Sequence, residues 1–107
     1  MSKTPALTPH FNRFLDRLVR ALQPERVVLF GSRARGDYRP TSDFDLLIVS
    51  KRFQNVRWID RAALAIRLWD LPLDLEAICL TPKEFRRRSK EISLVREAVR
   101  EGVVVYP

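Results

Sequence analysis

Two acidic residues lie on one side of a predicted strand. Asp43 and Asp45 are two positions apart at the start of the apolar run 44–49, so both side chains project from the same face, about 7 Å apart along the chain. Like charges at this spacing repel each other unless a cation lies between them. Carboxylate oxygens are the ligands that hard divalent cations prefer, and the pair is therefore a candidate metal site.

A glycine–serine turn lies upstream of this acidic pair. Gly31 and Ser32 follow the short apolar run 27–30 and precede a predicted helical turn, so their backbone N–H groups could hold a phosphate. Gly31 lets the backbone approach a ligand closely, and the Ser32 hydroxyl offers a further donor. Three arginines add positive charge beside the turn: Arg33, Arg35 and Arg39.

A third carboxylate usually completes a site that holds two metal ions. Asp74, on the next predicted strand, is the first candidate, and Glu76 shares its face by the two-residue period of a strand. A plainer interpretation makes Glu76 the partner of a nearby arginine. A phosphate-binding turn beside metal-binding carboxylates indicates phosphoryl or nucleotidyl transfer, in which metal ions neutralise developing charge and lower the pKa of an attacking hydroxyl.

The elements that must position these residues alternate between helices and strands. Apolar residues recur at helical spacing over 9–23 behind an N-cap at Thr8, and a capping box at Thr81 opens a second helical region to about residue 101, with a break near Ser89. Gly102 suits the position after that helix. Short apolar runs predict strands at 27–30, 44–49, 73–80 and 103–106. The order indicates an α/β fold with mostly buried strands.

Another helix is expected over 56–70, and its apolar residues fall on one face. Those residues are Ile59, Ala62, Ala63 and Ile66. Trp58 and Trp69 lie along the edge of this face, where they belong either to the core or to a partner-binding patch. Cys79 lies in an apolar strand and is predicted to be core.

Composition limits the remaining possibilities. The chain has 107 residues with 46% hydrophobic residues, which fits one domain, 1–107, with its own core. A single cysteine excludes a disulfide framework and a cysteine-rich zinc site. No run is long and apolar enough for a membrane span, and no signal peptide is visible, so a cytoplasmic location is expected. A net charge of +7 favours an anionic partner such as a nucleotide, a nucleic acid or an acidic protein.

The spacing of Gly-Ser and Asp-x-Asp resembles the signature of the DNA polymerase β-like nucleotidyltransferase superfamily. Its minimal nucleotidyltransferase branch is the most similar, since its members often read Gly-Ser-x-Ala-Arg-Gly and then Ser-Asp-x-Asp-Leu, as residues 31–36 and 42–46 do. Residues 71–75 resemble the strand that carries the third acidic residue of the family, and 101–106 resemble its C-terminal strand. The resemblance covers roughly residues 9–106.

This resemblance implies a palm-like mixed sheet flanked by helices. It implies Mg²⁺ bound by Asp43, Asp45 and Asp74, with Asp74 as ligand or general base, and ATP bound at Gly31 and Ser32. Arg35 is a further candidate for nucleotide binding, which either orients the turn or is a plain surface residue. It also implies transfer of AMP from ATP to a hydroxyl, in some systems a tyrosine of a helical HEPN-domain toxin, so that the chain acts as an antitoxin in a hetero-oligomer.

Two alternatives belong to other classes. In one, the chain is a non-catalytic, nucleotide-binding antitoxin that neutralises its partner by occlusion. In the other, it is a polymerase or tRNA-tailing module, which is disfavoured because no second domain is present to hold a template. Arg86, Arg87 and Arg88 could contact nucleic acid, but three consecutive helical positions fan over about 200° and favour a solvated face. His10 has no carboxylate or cysteine cluster around it in sequence.

Overall fold

Nine helices and strands of the computed structural model follow the predicted order. The structure describes residues 8–91 and 93–107. The helices are α1 (Pro9–Leu22), α2 (Ser32–Arg35), α3 (Trp58–Ile66), α4 (Pro82–Arg88) and α5 (Leu94–Glu101), and a short 3₁₀ turn spans Lys51–Phe53. The strands are β1 (Arg26–Phe30), β2 (Phe44–Val49), β3 (Leu75–Leu80) and β4 (Val103–Tyr106).

The four strands form one mixed sheet in the order β3-β2-β1-β4. Strands β2 and β3 are parallel, whereas β1 is antiparallel to both β2 and β4. Helices cover both faces: α1 and α3 contribute to the core on one side, and α5, with Phe85 of α4, packs on the other. Because both faces are covered, the central strand β2 is almost continuously apolar. This confirms the predicted mixed sheet flanked by helices.

Local capping signals set the helix boundaries. The Thr8 hydroxyl accepts a hydrogen bond from the Phe11 N–H at 3.1 Å, with Pro9 as the first helical residue. Thr81 and Glu84 form the predicted capping box at the start of α4. The C-terminal helical region is divided as expected, since α4 ends at Arg88 and α5 begins at Leu94. Gly102 follows α5, but its backbone is extended rather than left-handed.

The third strand begins later than predicted. The strand expected over 73–80 starts at Leu75, because the Leu73 carbonyl accepts a hydrogen bond from the Trp69 indole N–H at 2.6 Å. Leu73 is thereby held in the loop that precedes the strand. The Asp74 carbonyl accepts from the Phe44 N–H at 2.9 Å, which places Asp74 directly before the ladder.

Helix α3 is shorter than predicted, and its apolar face points away from the core. The four apolar residues do share one face, but Ile59 and Ile66 are 78% and 49% exposed, whereas Arg61 and Ala65 are buried. The reason is the hydrogen bonding of Arg61, whose guanidinium donates to the carbonyls of Val56 and Cys79 and to the Glu84 carboxylate.

The two tryptophans have different environments. Trp69 packs edge-on against Phe14, with ring centroids 4.7 Å apart, and belongs to the core. Trp58 is 53% exposed. The described helices include none that is long and apolar enough to cross a membrane.

Candidate functional site

Three strand ends meet at one edge of the sheet and bring the predicted site residues together. Because β1 and β2 are antiparallel, the end of β1 lies beside the start of β2, and Phe30 pairs with Asp45. Because β2 and β3 are parallel, their starts are also adjacent, and Asp45 pairs with Glu76. The Gly31–Ser32 turn and the acidic residues therefore share one edge.

The turn after β1 requires glycine at its first position. Gly31 has φ 73° and ψ −156°, a region open essentially to glycine alone. A Cβ at this position would overlap the Asp45 carboxylate. The backbone of the turn is thus in direct contact with Asp45.

A single turn of helix follows Gly31 and ends at Gly36. The Gly31 carbonyl accepts from the N–H groups of Ala34 and Arg35, both at 3.1 Å, and the Gly36 N–H donates to the Ser32 carbonyl at 3.0 Å. The first N–H groups of a helix have no partner within the helix. Those of Ser32 and Arg33 are therefore the donors that this turn can offer to a ligand.

Acidic side chains line a cleft at the same sheet edge. A cavity of about 380 Å³ is lined by Asp43, Asp74 and Glu76 together with apolar residues. The apolar lining consists of Ile66, Trp69, Leu73 and Leu75. The opening thus has a carboxylate side and a hydrophobic side, which suits a ligand with a charged and an apolar part.

Asp45 is the most perturbed of these carboxyl groups. Partial burial raises the pKa of Asp45 to about 6, and a hydrogen bond to Glu76 and the charges of Glu76 and Asp43 act in the same direction. The Arg35 charge opposes these effects. The cluster therefore carries more negative charge than its own surroundings neutralise.

In the sequence analysis, Asp74 ranked ahead of Glu76 as the third carboxylate, whereas in the structure Glu76 is the residue beside Asp45. Glu76 contacts Asp45, and within the described ranges it forms no ion pair with an arginine. Asp74 instead lies beside Asp43 at the neighbouring register position. Over residues 8–91 and 93–107, no three His, Cys, Asp or Glu side chains already converge as the ligands of one metal ion.

The donor set of this edge fits a divalent cation. The carboxylates of Asp43, Asp45, Asp74 and Glu76 supply hard oxygen ligands. Their mutual repulsion, expressed in the raised pKa of Asp45, is the effect that a cation would relieve.

Arg33 is a positioning residue that the sequence did not identify. Its guanidinium lies 4.5 Å from the ring centroid of Tyr38 and 4.3 Å from that of Phe44. It also donates to the Ser42 carbonyl at 2.9 Å. These contacts of Arg33 stabilise the loop that precedes Asp43. Both rings are visible in the sequence, but nothing in their spacing indicates an arginine between them.

The remaining candidates lie elsewhere. Arg35 approaches Asp37 at 3.4 Å and Glu101 at 3.7 Å, beside the turn. The arginine run on α4 is divided: Arg86 lines a separate cavity of about 200 Å³, whereas Arg88 lies over the Trp58 ring. Cys79 is buried as predicted, and burial raises the pKa of its thiol to about 12. His10 is exposed on α1.

Comparison with known proteins places this site in a family context. The family model described as "Nucleotidyltransferase domain" matches residues 11–103. A protein of Methanocaldococcus jannaschii named "Putative protein adenylyltransferase" is 33% identical over 81 residues, which cover 76% of this chain and 78% of that protein. A crystal structure described as "a putative nucleotidyltransferase from Sulfolobus solfataricus" superposes with a TM-score of 0.63 at 28% identity, over 91% of this chain and 77% of the other.

A similar fold is also found in a protein whose name does not refer to nucleotidyl transfer. BolA1 from Arabidopsis thaliana superposes with a TM-score of 0.59 at 24% identity, over 73% of this chain and 98% of its own. At this identity the likeness concerns the fold alone. The residues at the sheet edge, rather than the arrangement of helices and strands, must therefore carry any conclusion about chemistry.

Proposed function

This chain belongs to the nucleotidyltransferase domain family, and we propose that it transfers AMP from ATP to an acceptor hydroxyl with the help of Mg²⁺. The observation that carries this proposal is the position of the acidic residues, which share one sheet edge with the Gly31–Ser32 turn, and of which Asp45 contacts Gly31. A triphosphate bound at the turn would present its α-phosphorus to the carboxylate side of the cleft.

The reaction forms one P–O bond and breaks another. The acceptor oxygen attacks the α-phosphorus, the bond to the bridging oxygen of the β-phosphate breaks, and pyrophosphate leaves with that electron pair. The acceptor proton passes to a nearby base, and Asp74, which lines the cleft, is the proposed base. The N–H groups after Gly31 would hold the β- and γ-phosphates.

Asp43 and Asp45 would hold the metal ions, with Asp74 or Glu76 as a third carboxylate. When bound, Mg²⁺ supplies positive charge to the phosphate oxygens and lowers the pKa of the attacking hydroxyl. The protein contributes the rigid placement of these groups, since Arg33 fastens the loop before Asp43 and Asp45 packs against Gly31.

A protein is the proposed acceptor. The name of the M. jannaschii relative supports this choice. By resemblance to the minimal nucleotidyltransferases, the acceptor group is a tyrosine of a HEPN-type toxin, so that the chain acts as its antitoxin.

Radiolabelled ATP tests the proposal directly. The purified chain, mixed with a HEPN-type partner and Mg²⁺, is expected to transfer label from [α-³²P]ATP and none from [γ-³²P]ATP. Asp43→Asn and Asp45→Asn should reduce the transfer rate by at least ~100-fold, as expected when metal-binding carboxylates are lost. Asp16→Asn, an exposed position on α1, is the matched control and should transfer label normally.

Two results would contradict the proposal. ATP binding without transfer would make the chain a non-catalytic antitoxin that acts by occlusion. Label on added RNA or DNA, with none on protein, would make it a polymerase or tailing module.

A further inference from the structure

A second cavity lies where β1 begins and β2 ends, away from the carboxylates. It has a volume of about 200 Å³, and we call it the β1–α4 cavity. Arg26 at the start of β1 is five residues before Gly31, so the two positions are about 16 Å apart along the strand. The cavity is therefore separate from the candidate active site. Its lining consists of Glu25, Arg26, Val49, Pro82, Phe85 and Arg86.

Two arginines reach this cavity from different elements. Arg26 belongs to β1 and Arg86 to α4. The Arg26 guanidinium is 5.5 Å from the centroid of the Phe85 ring, and this contact restricts it to the cavity wall. Within residues 8–91 and 93–107, neither arginine has a carboxylate at ion-pair distance. Both positive charges are therefore left for a ligand.

The acidic residues nearby in the chain do not neutralise the two arginines. Glu25 is the carboxylate of the lining, and its Oε2 atom is 4.0 Å from Lys51 Nζ. Glu84, the acidic residue of α4, is paired with Arg61 at 2.6 Å. The two lining arginines and Lys51, set against Glu25, amount to three positive charges and one negative charge, a net charge of +2. The cavity therefore favours an anion.

The presence of two guanidinium groups favours phosphate over carboxylate. A carboxylate has two oxygens, and the fork of one guanidinium binds both of them. A phosphate group has additional oxygens in a tetrahedral arrangement, so it can accept hydrogen bonds from Arg26 and Arg86 at the same time. A phosphate monoester also has a charge of about −1.5 to −2 at pH 7, which matches the net charge of the lining.

The volume of the cavity limits the size of the bound group. Pockets that hold a whole small molecule are larger, about 300–1,000 Å³. A cavity of about 200 Å³ therefore suits a single phosphate group. Val49, Pro82 and Phe85 form an apolar part of the lining, which can contact the non-polar atoms that carry the phosphate.

We propose that the β1–α4 cavity is a phosphate-binding site in which Arg26 and Arg86 hold one phosphate group between them. The phosphate is either free or part of a nucleic acid strand, because both sources offer the same oxygens to the two guanidinium groups. Binding here requires no nucleotidyl transfer, so the site can be tested independently of the proposed function.

Titration followed by NMR tests the site. Inorganic phosphate is added to the ¹⁵N-labelled full chain in EDTA at constant ionic strength, and citrate is added to a second sample as the carboxylate control. Phosphate should shift the Nε–H signals of Arg26 and Arg86. Citrate should bind at least ~10-fold more weakly, the effect of losing one hydrogen bond to a charged group. The backbone signals of Gly31 and Ser32 report the candidate active site in the same spectra.

Substitution of the arginines supplies the second measurement, read at the arginine that remains. Arg26→Gln and Arg86→Gln should each weaken phosphate binding about 10-fold. Arg26→Lys keeps the charge but loses the planar fork, so it should restore only part of the affinity. Arg13→Gln is the matched control, because Arg13 is exposed on α1, which packs on the other face of the sheet. The backbone spectra should show unchanged folding in all these variants.

A short single-stranded RNA distinguishes the two sources of phosphate. RNA that binds in EDTA and competes with inorganic phosphate would identify nucleic acid as the ligand. The slope of its affinity against salt should then be smaller by about one phosphate contact in Arg86→Gln. Phosphate-induced shifts without RNA binding would identify free phosphate. Either result supports the site and decides its ligand.

Several outcomes would overturn the phosphate site. They are equal affinity for phosphate and citrate, signal shifts confined to Gly31 and Ser32, and undiminished phosphate binding in both Arg26→Gln and Arg86→Gln. Tighter binding of a glutamate-rich peptide than of phosphate or RNA would also overturn it, because the cavity would then accept an acidic protein.

Discussion

At the scale of single residues, the site is dominated by negative charge gathered in an otherwise positive chain. The repulsion raises the pKa of Asp45 most clearly, because this residue is partly buried, contacts Glu76 and lies near Asp43. Its proton is held more tightly in the folded protein than in the unfolded chain. A cation bound at this carboxyl group would therefore be coupled to stability.

The coupling predicts a pH dependence in the absence of metal. The pKa of Asp45 is about 6 in the folded protein and 3.8 as an ordinary carboxyl, so between these values the folded state binds the extra proton. Stability should fall as pH rises from about 4 to about 6 and then level off. Thermal melts in EDTA over this range should show that Asp45→Asn removes the fall.

Addition of Mg²⁺ is the companion measurement. At pH 7 it should raise the melting temperature of the wild-type chain and have a much smaller effect on Asp45→Asn. Parallel pH profiles for the two proteins in EDTA would show that Asp45 is not the group responsible.

Gly31 allows a second prediction at this scale. Gly31→Ala combines an unfavourable backbone conformation with an overlap between the new Cβ and the Asp45 carboxylate. Gly36→Ala shares the positive φ, at 91°, but its Cβ would meet no atom within 4 Å. We expect Gly36→Ala to cost about 1 kcal/mol of unfolding free energy and Gly31→Ala clearly more, about 3 kcal/mol.

Urea denaturation measures both variants, and the double variant Gly31→Ala/Asp45→Ala tests the cause. Removing the Asp45 carboxylate should return part of the lost stability, since the overlap disappears while the backbone strain remains. Equal costs at the two glycines would refute the proposed close contact.

At the scale of helices and strands, long-range hydrogen bonds decide what local patterns leave open. The apolar pattern of α3 defines one face, but the pairing of buried Arg61 with the partly buried Glu84 determines that this face points outward. Burial alone would raise the pKa of Glu84, yet hydrogen bonds from Arg61 and Thr81 bring it below the ordinary value. Its contribution to stability is present above that ordinary value and is lost as pH falls below it.

Removing Arg61 should therefore destabilise the whole domain. Arg61→Leu leaves the partly buried Glu84 carboxylate without its partner, and the loss of a hydrogen bond to a charged group costs about 2 kcal/mol. Arg57→Leu, which breaks the exposed pair with Asp60, is the matched control and should cost less than about 1 kcal/mol. Chemical denaturation of both variants at pH 7 provides the comparison, and similar costs would show that the Arg61 pair does not hold α3.

At the scale of the whole molecule, the strand pairing of the four-stranded sheet gathers the candidate site at one edge. The glycine–serine turn and the carboxylates lie together there, because the antiparallel and parallel pairings of β2 bring three strand ends together. Ile66 of α3 lines the cleft at this edge beside the carboxylates.

Much of this arrangement is determined by local sequence. Apolar runs, the caps at Thr8 and Thr81 and the Gly31–Ser32 turn specify the elements, because each depends on neighbours a few positions away. The spacing of Asp43 and Asp45 likewise determines that the two carboxylates share a face. These features are predictable because they depend on backbone geometry alone.

Tertiary structure decided the features that depend on partners distant in sequence. Glu76 meets Asp45 only because β2 and β3 pair in parallel register, and Arg33 fastens its loop only because Tyr38 and Phe44 fold around it. Arg61 turns α3 because its acceptors lie 18 and 23 positions further along the chain. Periodicity states which residues lie on the same side of an element, whereas the side that faces inward is chosen by the free energy of contacts made elsewhere in the fold.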